Sequence, residues 1–204
     1  YFNARAIQTI IKMAAANGVG RIVVGRGGLL STPAASAVIR HLKTDGGIIL
    51  SASHNPGGAD GDFGIKYNIA AGGPAPEGIT GRIFEATKSI SEYRIADIPD
   101  IDLDTEGESA HAGMTVAVID PVEIYAGLMR SLFDYDAIRA LFAGGFRMRF
   151  DAMHAVTGPY AKAILEDELG AAPGTVLNGT PDPAFGGHHP DPNPIHAKAL
   201  MDEM

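Results

Sequence analysis

Cysteine is absent from all 204 residues, which excludes a disulfide framework, a thiolate metal site and a cysteine nucleophile. Bases are scarce. Sixteen Lys and Arg stand against 24 Asp and Glu, for a net charge of −8, and such a chain is not expected to bind nucleic acid. No apolar run approaches the ~18 residues of a membrane span, so no membrane partner is expected. There is no charged-then-apolar leader with a small-residue cleavage site, and the expected location is the cytoplasm. Apolar residues make up 46% of the chain and charged residues 20%, enough for a sizeable core. Six acids (Asp97, Asp100, Asp102, Asp104, Glu106, Glu108) and no base fill residues 97–108, a pattern expected of a solvated surface loop. The remainder of the molecule is therefore nearly neutral and compatible with an anionic substrate. The 26 glycines and 13 prolines cluster at 25–28, 56–78 and 179–194, which points to a few long functional loops.

Between those loops, helical and strand patterns alternate. Asn3 is expected to cap a helix whose Ile7, Ile10, Ile11, Ala14 and Ala15 share one face. Asn17-Gly18 stops it, and residues 21–25 read as a buried strand. Thr32-Pro33 opens a second helix, with proline at the favoured first position. Ile48–Leu50 is a strand, Pro76–Ser91 a helix and Thr115–Ile119 a strand. A long helix is expected over Val122–Ala143, then a strand at Arg147–Asp151, a helix at Pro159–Leu169 and a strand at Thr175–Asn178. A loop follows from Thr180 to Pro194, and a last helix starts near Ile195. This order implies an α/β fold with mixed, mainly parallel sheets and helices on both faces. The expected domains are 1–121 and 122–204. The chain opens on Tyr1 close to a helix and stops at Met204 inside a helical pattern, so a piece of a longer protein is expected.

The strongest chemical signal follows the strand at Ile48–Leu50. It reads Ser51-Ala52-Ser53-His54-Asn55-Pro56-Gly57-Gly58, and then Asp62-Phe63-Gly64-Ile65-Lys66-Tyr67-Asn68. In open α/β sheets, ligands bind beyond the carboxyl ends of strands, which is where Ser53 lies. Its hydroxyl is a candidate nucleophile that needs activation. His54 is placed to contact a phosphate or substrate. Asn55-Pro56 and the glycines fix a turn whose N–H groups can approach an anion. Lys66 offers a cation or a proton carrier. From composition alone, a glycine-rich surface turn accounts for these residues equally well.

Together these residues resemble the phosphoserine loop and downstream motif of the α-D-phosphohexomutases. Residues 150–160 (FDAMHAVTGPY) and 185–193 (FGGHHPDPN) are similar to the glucose-phosphate-specific branch of that family, and residues 28–34 (GLLSTPA) fit as well. The likeness runs in order along nearly the whole chain. It implies a four-domain architecture, of which 1–121 would be the first domain and 122–204 an incomplete second.

The resemblance further implies reversible interconversion of glucose 1-phosphate and glucose 6-phosphate. Ser53 would be the phosphoserine, donating its phosphoryl group to the sugar and recovering the other phosphate from a glucose 1,6-bisphosphate intermediate. Lys66 would be the general acid/base and a substrate contact, and His54 and Asn55 would bind substrate. Ser53 would also contribute to a Mg²⁺ site whose other ligands, an Asp-Gly-Asp-x-Asp-Arg loop, are not in this sequence, so the 204 residues alone are expected to be inactive. The expected partner is a small-molecule sugar phosphate. Two other classes remain beside this one, a phosphoester hydrolase and a non-catalytic sugar-phosphate-binding paralogue. No Gly-x-Ser-x-Gly elbow supports the former, and retention of Ser53 and Lys66 opposes the latter.

The remaining histidines are assigned to structure. Adjacent His188 and His189 point in opposite directions on an extended chain, which opposes joint metal ligation. Asp151 and His154 are expected to cap or pack, and His41, His111 and His196 to lie on the surface. Gly25–Gly28 lacks the spacing of a dinucleotide loop.

Overall fold

A computed structural model describes residues 1–203, and its chain divides into two compact units. One unit comprises Phe2–Ile49 and Ile65–Pro121. The other comprises Tyr1, Leu50–Gly64 and Val122–Met204, so the serine loop is grouped with the later part of the chain.

In the first unit, helix α1 (Asn3–Ala16) is followed by strand β1 (Arg21–Gly25), helix α2 (Thr32–Leu42), strands β2 (Gly46–Leu50) and β3 (Ile65–Ile69), helix α3 (Glu77–Thr87) and strands β4 (Gly107–His111) and β5 (Met114–Ile119). β5 is the central strand of a three-stranded sheet. It runs parallel to β1, with Arg21 opposite Thr115 and Gly25 opposite Ile119, and antiparallel to β4. Met114, Val116, Ala117 and Val118 are all buried, the continuous apolar run of a strand covered on both faces. Ile11 of α1 joins Met114 and Val116 in the core, flanked by Ile7, Ala14, Ala15, Ile22 and Val24. β2 and β3 form a separate two-stranded pair. α2 begins where Ser31 accepts a hydrogen bond from the Ala34 amide, and it ends at Lys43 in a left-handed cap, a strong start and stop in one short segment.

Several expectations need correction here. Asn3 does not cap α1. Phe2 holds the cap position, and Asn3 lies inside the helix with its side-chain amide donating to the Gly28 carbonyl. The acidic stretch is not merely solvated. Ile101 is buried in the core, with Ile98 and Leu103 packed beside it. The Gln8 side chain both donates to the Ile101 carbonyl and accepts from its amide, each at 2.9 Å. The acids face outward, with Asp100 on Lys12, Glu106 on Arg26 and Glu108 on Arg21. The stretch is a strap with alternating faces, and its last residues enter β4.

In the second unit the long helix expected over Val122–Ala143 is two helices, α4 (Glu123–Leu132) and α5 (Tyr135–Ala143). The break falls at Phe133-Asp134, where the Asp134 carboxylate accepts from the Ala137 amide and starts the second helix afresh. Strands β6 (Phe150–Asp151) and β7 (Val176–Leu177) pair in parallel and are shorter than the Arg147–Asp151 and Thr175–Asn178 expected. Between them, α6 (Thr157–Ala161) continues into a wider π turn over Lys162–Glu168. The last helix is α7 (Lys198–Asp202), which starts later than Ile195, and the helical pattern at Met204 lies outside the described residues.

Gly158, at the start of α6, is pressed against the Gly179 backbone. A Cβ there would overlap the Gly179 carbonyl and lie 2.7 Å from its Cα. Gly158→Ala is expected to destabilise the protein by about 1–3 kcal/mol, since backbone cannot swing aside as a side chain can. A urea midpoint equal to that of the wild type would contradict this packing.

Candidate active site

Ser53 sits in the irregular segment between β2 and β3, with its backbone in the left-handed region (φ 62°). A residue with a Cβ seldom adopts this conformation unless its surroundings impose it. Those surroundings are a short set of hydrogen bonds. Ser51 donates its amide to the Gly64 carbonyl at 2.9 Å, closing the base of the loop. The Ser51 hydroxyl oxygen then accepts from the Ser53 amide at 3.0 Å, and the Asn55 amide donates to the Ala52 carbonyl at 3.2 Å. The Asn55 side-chain amide reaches across the loop to the Asp62 carboxylate at 2.5 Å. Gly61 lies where a Cβ would overlap the Pro56 carbonyl, so the loop closes tightly on itself.

The result is an exposed Ser53 hydroxyl on a braced turn. His54 Nδ1 lies 3.4 Å from Ser53 Oγ, beyond the about 2.6–3.2 Å of a nucleophile held by its base. No carboxylate orients the His54 ring among the described residues, so the pair does not have the geometry of a hydrolytic serine–histidine couple. Asn55 is engaged in holding the loop through Asp62, which adds a structural role to the substrate contact expected of it. Lys66 belongs to the other unit, as the second residue of β3. It is exposed, with no ion-pair partner among the described residues.

The segment beside the serine loop is equally constrained. Asp151, at the end of β6, accepts from the Met153 amide at 2.8 Å and from the Asn178 side chain at 2.9 Å. Met153, His154, Asn178 and Phe185 all have positive φ. His154 packs its ring against Gly186, where a Cβ would meet Cδ2 at 2.7 Å, and its Nδ1 is 3.2 Å from the Thr180 carbonyl. Asp151 and His154 thus cap and pack, as the sequence implied. Asp182 accepts from the amides of Ala184 at 2.7 Å and Gly186 at 3.3 Å. Phe185 in turn touches the serine loop, where a Cβ on Gly57 would come within 2.9 Å of its ring. His188 is exposed. His189 turns inward and places Nε2 3.1 Å from the His54 carbonyl. His196 lies at the surface but its ring meets that of His189 at a tilt, with centroids 4.3 Å apart. Sequence reasoning had set both aside as structural or surface positions.

The amides of Ala184 and Gly186 hold the Asp182 carboxyl below the usual carboxylate range, and the charge of His154 adds to the effect. A depressed carboxyl stabilises the turn at pH values above its unfolded pKa. That stability disappears as pH falls through the lower folded value. An NMR titration of the Ala184 and Gly186 amides is expected to show a midpoint below the ordinary ~3.9 of aspartate. A midpoint at or above that value would mean the turn does not hold Asp182 as described.

Among the described residues no group of three His, Asp or Glu could hold a metal ion. The Ser53 hydroxyl offers a single oxygen, where a Mg²⁺ ion takes six ligands. Asp62, a carboxylate of the same loop, is already bound to Asn55.

A model of the phosphoglucomutase/phosphomannomutase α/β/α domain I matches residues 1–94, the part that contains the serine loop and Lys66. A phosphoglucomutase of Rhizobium radiobacter is 61% identical over the whole chain, which covers 38% of that protein. Over its whole length the chain is thus similar to phosphoglucomutases, and its first 94 residues match the first domain of the phosphohexomutases. The chloroplastic phosphoglucomutase of Arabidopsis thaliana is 56% identical, with all of the chain matched to 33% of the relative. The solved structure of the Paramecium exocytosis-sensitive phosphoprotein pp63/parafusin, a phosphoglucomutase in its open form, superposes with a TM-score of 0.93 at 44% identity. It covers 99% of this chain and 38% of its own. The chain thus spans between a third and two fifths of the length of these relatives. The mixed α/β architecture expected of the family is the one observed. No helix among the described residues is long and apolar enough to cross a membrane.

Proposed function

We propose that the protein of which this chain is a part interconverts glucose 1-phosphate and glucose 6-phosphate through a phosphoserine at Ser53. The observation that carries the proposal is the exposed Ser53 hydroxyl on a braced left-handed turn, in a chain whose relatives are phosphoglucomutases. In the first half-reaction a sugar hydroxyl attacks the phosphorus of phospho-Ser53. The bond from phosphorus to Ser53 Oγ breaks, and one from phosphorus to the sugar oxygen forms. The hydroxyl proton passes to a base, and Oγ gains a proton. In the second half-reaction Ser53 Oγ attacks the other phosphate of glucose 1,6-bisphosphate. It loses its proton, and the isomeric monophosphate departs. No water is consumed, and the phosphoserine is restored.

Lys66 is the proposed acid/base that carries the sugar's proton, and it also contacts substrate. His54 and Asn55 are proposed to bind the substrate, with the amides of the turn facing its phosphate. Mg²⁺, when bound, neutralises charge on the transferring phosphoryl group, and Ser53 with its phosphate would hold one of its positions. Glucose 1,6-bisphosphate is the proposed activator, because it rephosphorylates an empty Ser53. Residues 1–121 are proposed as the first domain of the enzyme and 122–204 as part of the second. The proposed setting is the cytoplasm, where a sugar phosphate substrate would be met, and cell fractionation tests it.

Intact-mass analysis of the full-length protein tests the reaction itself. An added ~80 Da mapped to Ser53 is expected, and it should disappear on addition of excess glucose monophosphate and return with bisphosphate. Release of that phosphate to water at the rate of turnover would instead identify a hydrolase.

A further inference from the structure

We propose that His189 is a positioning residue for the nucleophile loop, fixing the peptide that follows Ser53 so that Oγ keeps its direction. This deepens the phosphoserine reading and rests on it. A carbonyl oxygen only accepts, so the 3.1 Å contact between His189 Nε2 and the His54 carbonyl requires a proton on Nε2. His189 therefore donates to the backbone one residue beyond the nucleophile, across 135 residues of sequence.

Its own position is built in. Pro190 beside it is buried. The ring lies against that of His196, tilted at 41°, and the His196 amide is held at 3.1 Å by the Asn193 side chain. Asn193 is in turn tied to Asp191 at 2.6 Å. On the other side, the Asp182 turn sets Phe185 against Gly57. The serine loop is thus gripped at two points, His54 and Gly57, by one stretch of chain. Its own hydrogen bonds, Ser51 to Ser53, Ala52 to Asn55, Asn55 to Asp62 and Ser51 to Gly64, all close within residues 51–64. They shape the turn but do not anchor it to the rest of its unit. His189 supplies an anchor of that kind at the peptide nearest the reacting oxygen.

The test compares His189→Phe and His189→Gln in the full-length enzyme. Phenylalanine keeps a ring against His196 and removes the donor. Glutamine restores an N–H near the Nε2 position. With His189→Phe, kcat is expected to fall about 5- to 10-fold, the worth of one intramolecular hydrogen bond. KM should change less than about 2-fold, because His189 itself is not among the proposed substrate contacts and the His54 and Asn55 side chains are kept. Hydrogen exchange at the Ser53 and Asn55 amides should accelerate by a similar factor, and His189→Gln should recover most of both effects. Unchanged exchange at those amides in His189→Phe would overturn the proposal, as would glutamine failing to rescue a well-folded protein. Exchange needs no turnover, so the two readings separate. Faster exchange in a protein whose wild type does not interconvert glucose phosphates would support the loop assignment and refute the mutase.

Discussion

Ser53→Ala in the full-length enzyme is expected to reduce glucose phosphate interconversion by at least about 10⁴-fold, and to abolish the ~80 Da phosphate on the protein. The proposed route passes through a bond to Ser53 Oγ twice per cycle, and no other side chain can take its place at that point. Ser51, the nearest hydroxyl in sequence, accepts the Ser53 amide to shape the turn. Thermal stability should change little. Alanine keeps the Cβ that the left-handed backbone already tolerates, and among the described residues Ser53 Oγ has only the long 3.4 Å contact with His54. The check is a coupled glucose 6-phosphate assay with the host mutase deleted, together with intact mass. Wild-type turnover by the alanine variant would remove Ser53 from the mechanism.

Lys66→Met should lower kcat by ~10²–10⁴-fold, the usual range for general acid–base catalysis, with a much smaller change in KM. Methionine preserves the length and apolar stem of the side chain. Lys66 sits exposed on β3 with no ion pair to lose among the described residues, so the fold should be indifferent to the exchange. The split between kcat and KM decides its role. A higher KM with unchanged kcat would identify Lys66 as a binding cation and leave the proton to another group.

What could be read in advance depended on whether a feature was local. The start of α2 was legible because Ser31, Thr32 and Pro33 carry the capping chemistry in consecutive residues, and β1 because Ile22-Val23-Val24 is a short β-branched run. The Ser53 segment was legible as a loop from its glycines and prolines, but residue types alone left a plain surface turn equally open, and only the family resemblance singled it out as a candidate site. β3 was overlooked although Ile65, Tyr67 and Ile69 alternate with Lys66 and Asn68, because the segment was read for its chemistry rather than its period. β4 carries no apolar pattern. Its residues Gly107–His111 are an edge strand, defined by backbone pairing with β5 through the turn at Ala112-Gly113. The break between α4 and α5 had a signal in Asp134, overridden by apolar spacing that continued past it. Ile101 inside the acidic run and His189 against His54 belong to another class. Each depends on a partner roughly 90 or more residues away, which no window of local sequence contains.

The pairing of β1 with β5 bears on how this unit is made in the cell. Arg21 leaves the ribosome roughly 90 residues before Thr115, its opposite number. At about 5–20 residues per second, translation leaves β1 without its neighbour for roughly 5–20 s. Throughout that interval Ile22, Val23 and Val24 present an unpaired strand edge, and the inner face of α1 lacks Val116 and, for most of it, the Ile101 strap as well. Changes in translation speed between codons 26 and 114 would therefore alter the yield of folded protein without altering a single amino acid.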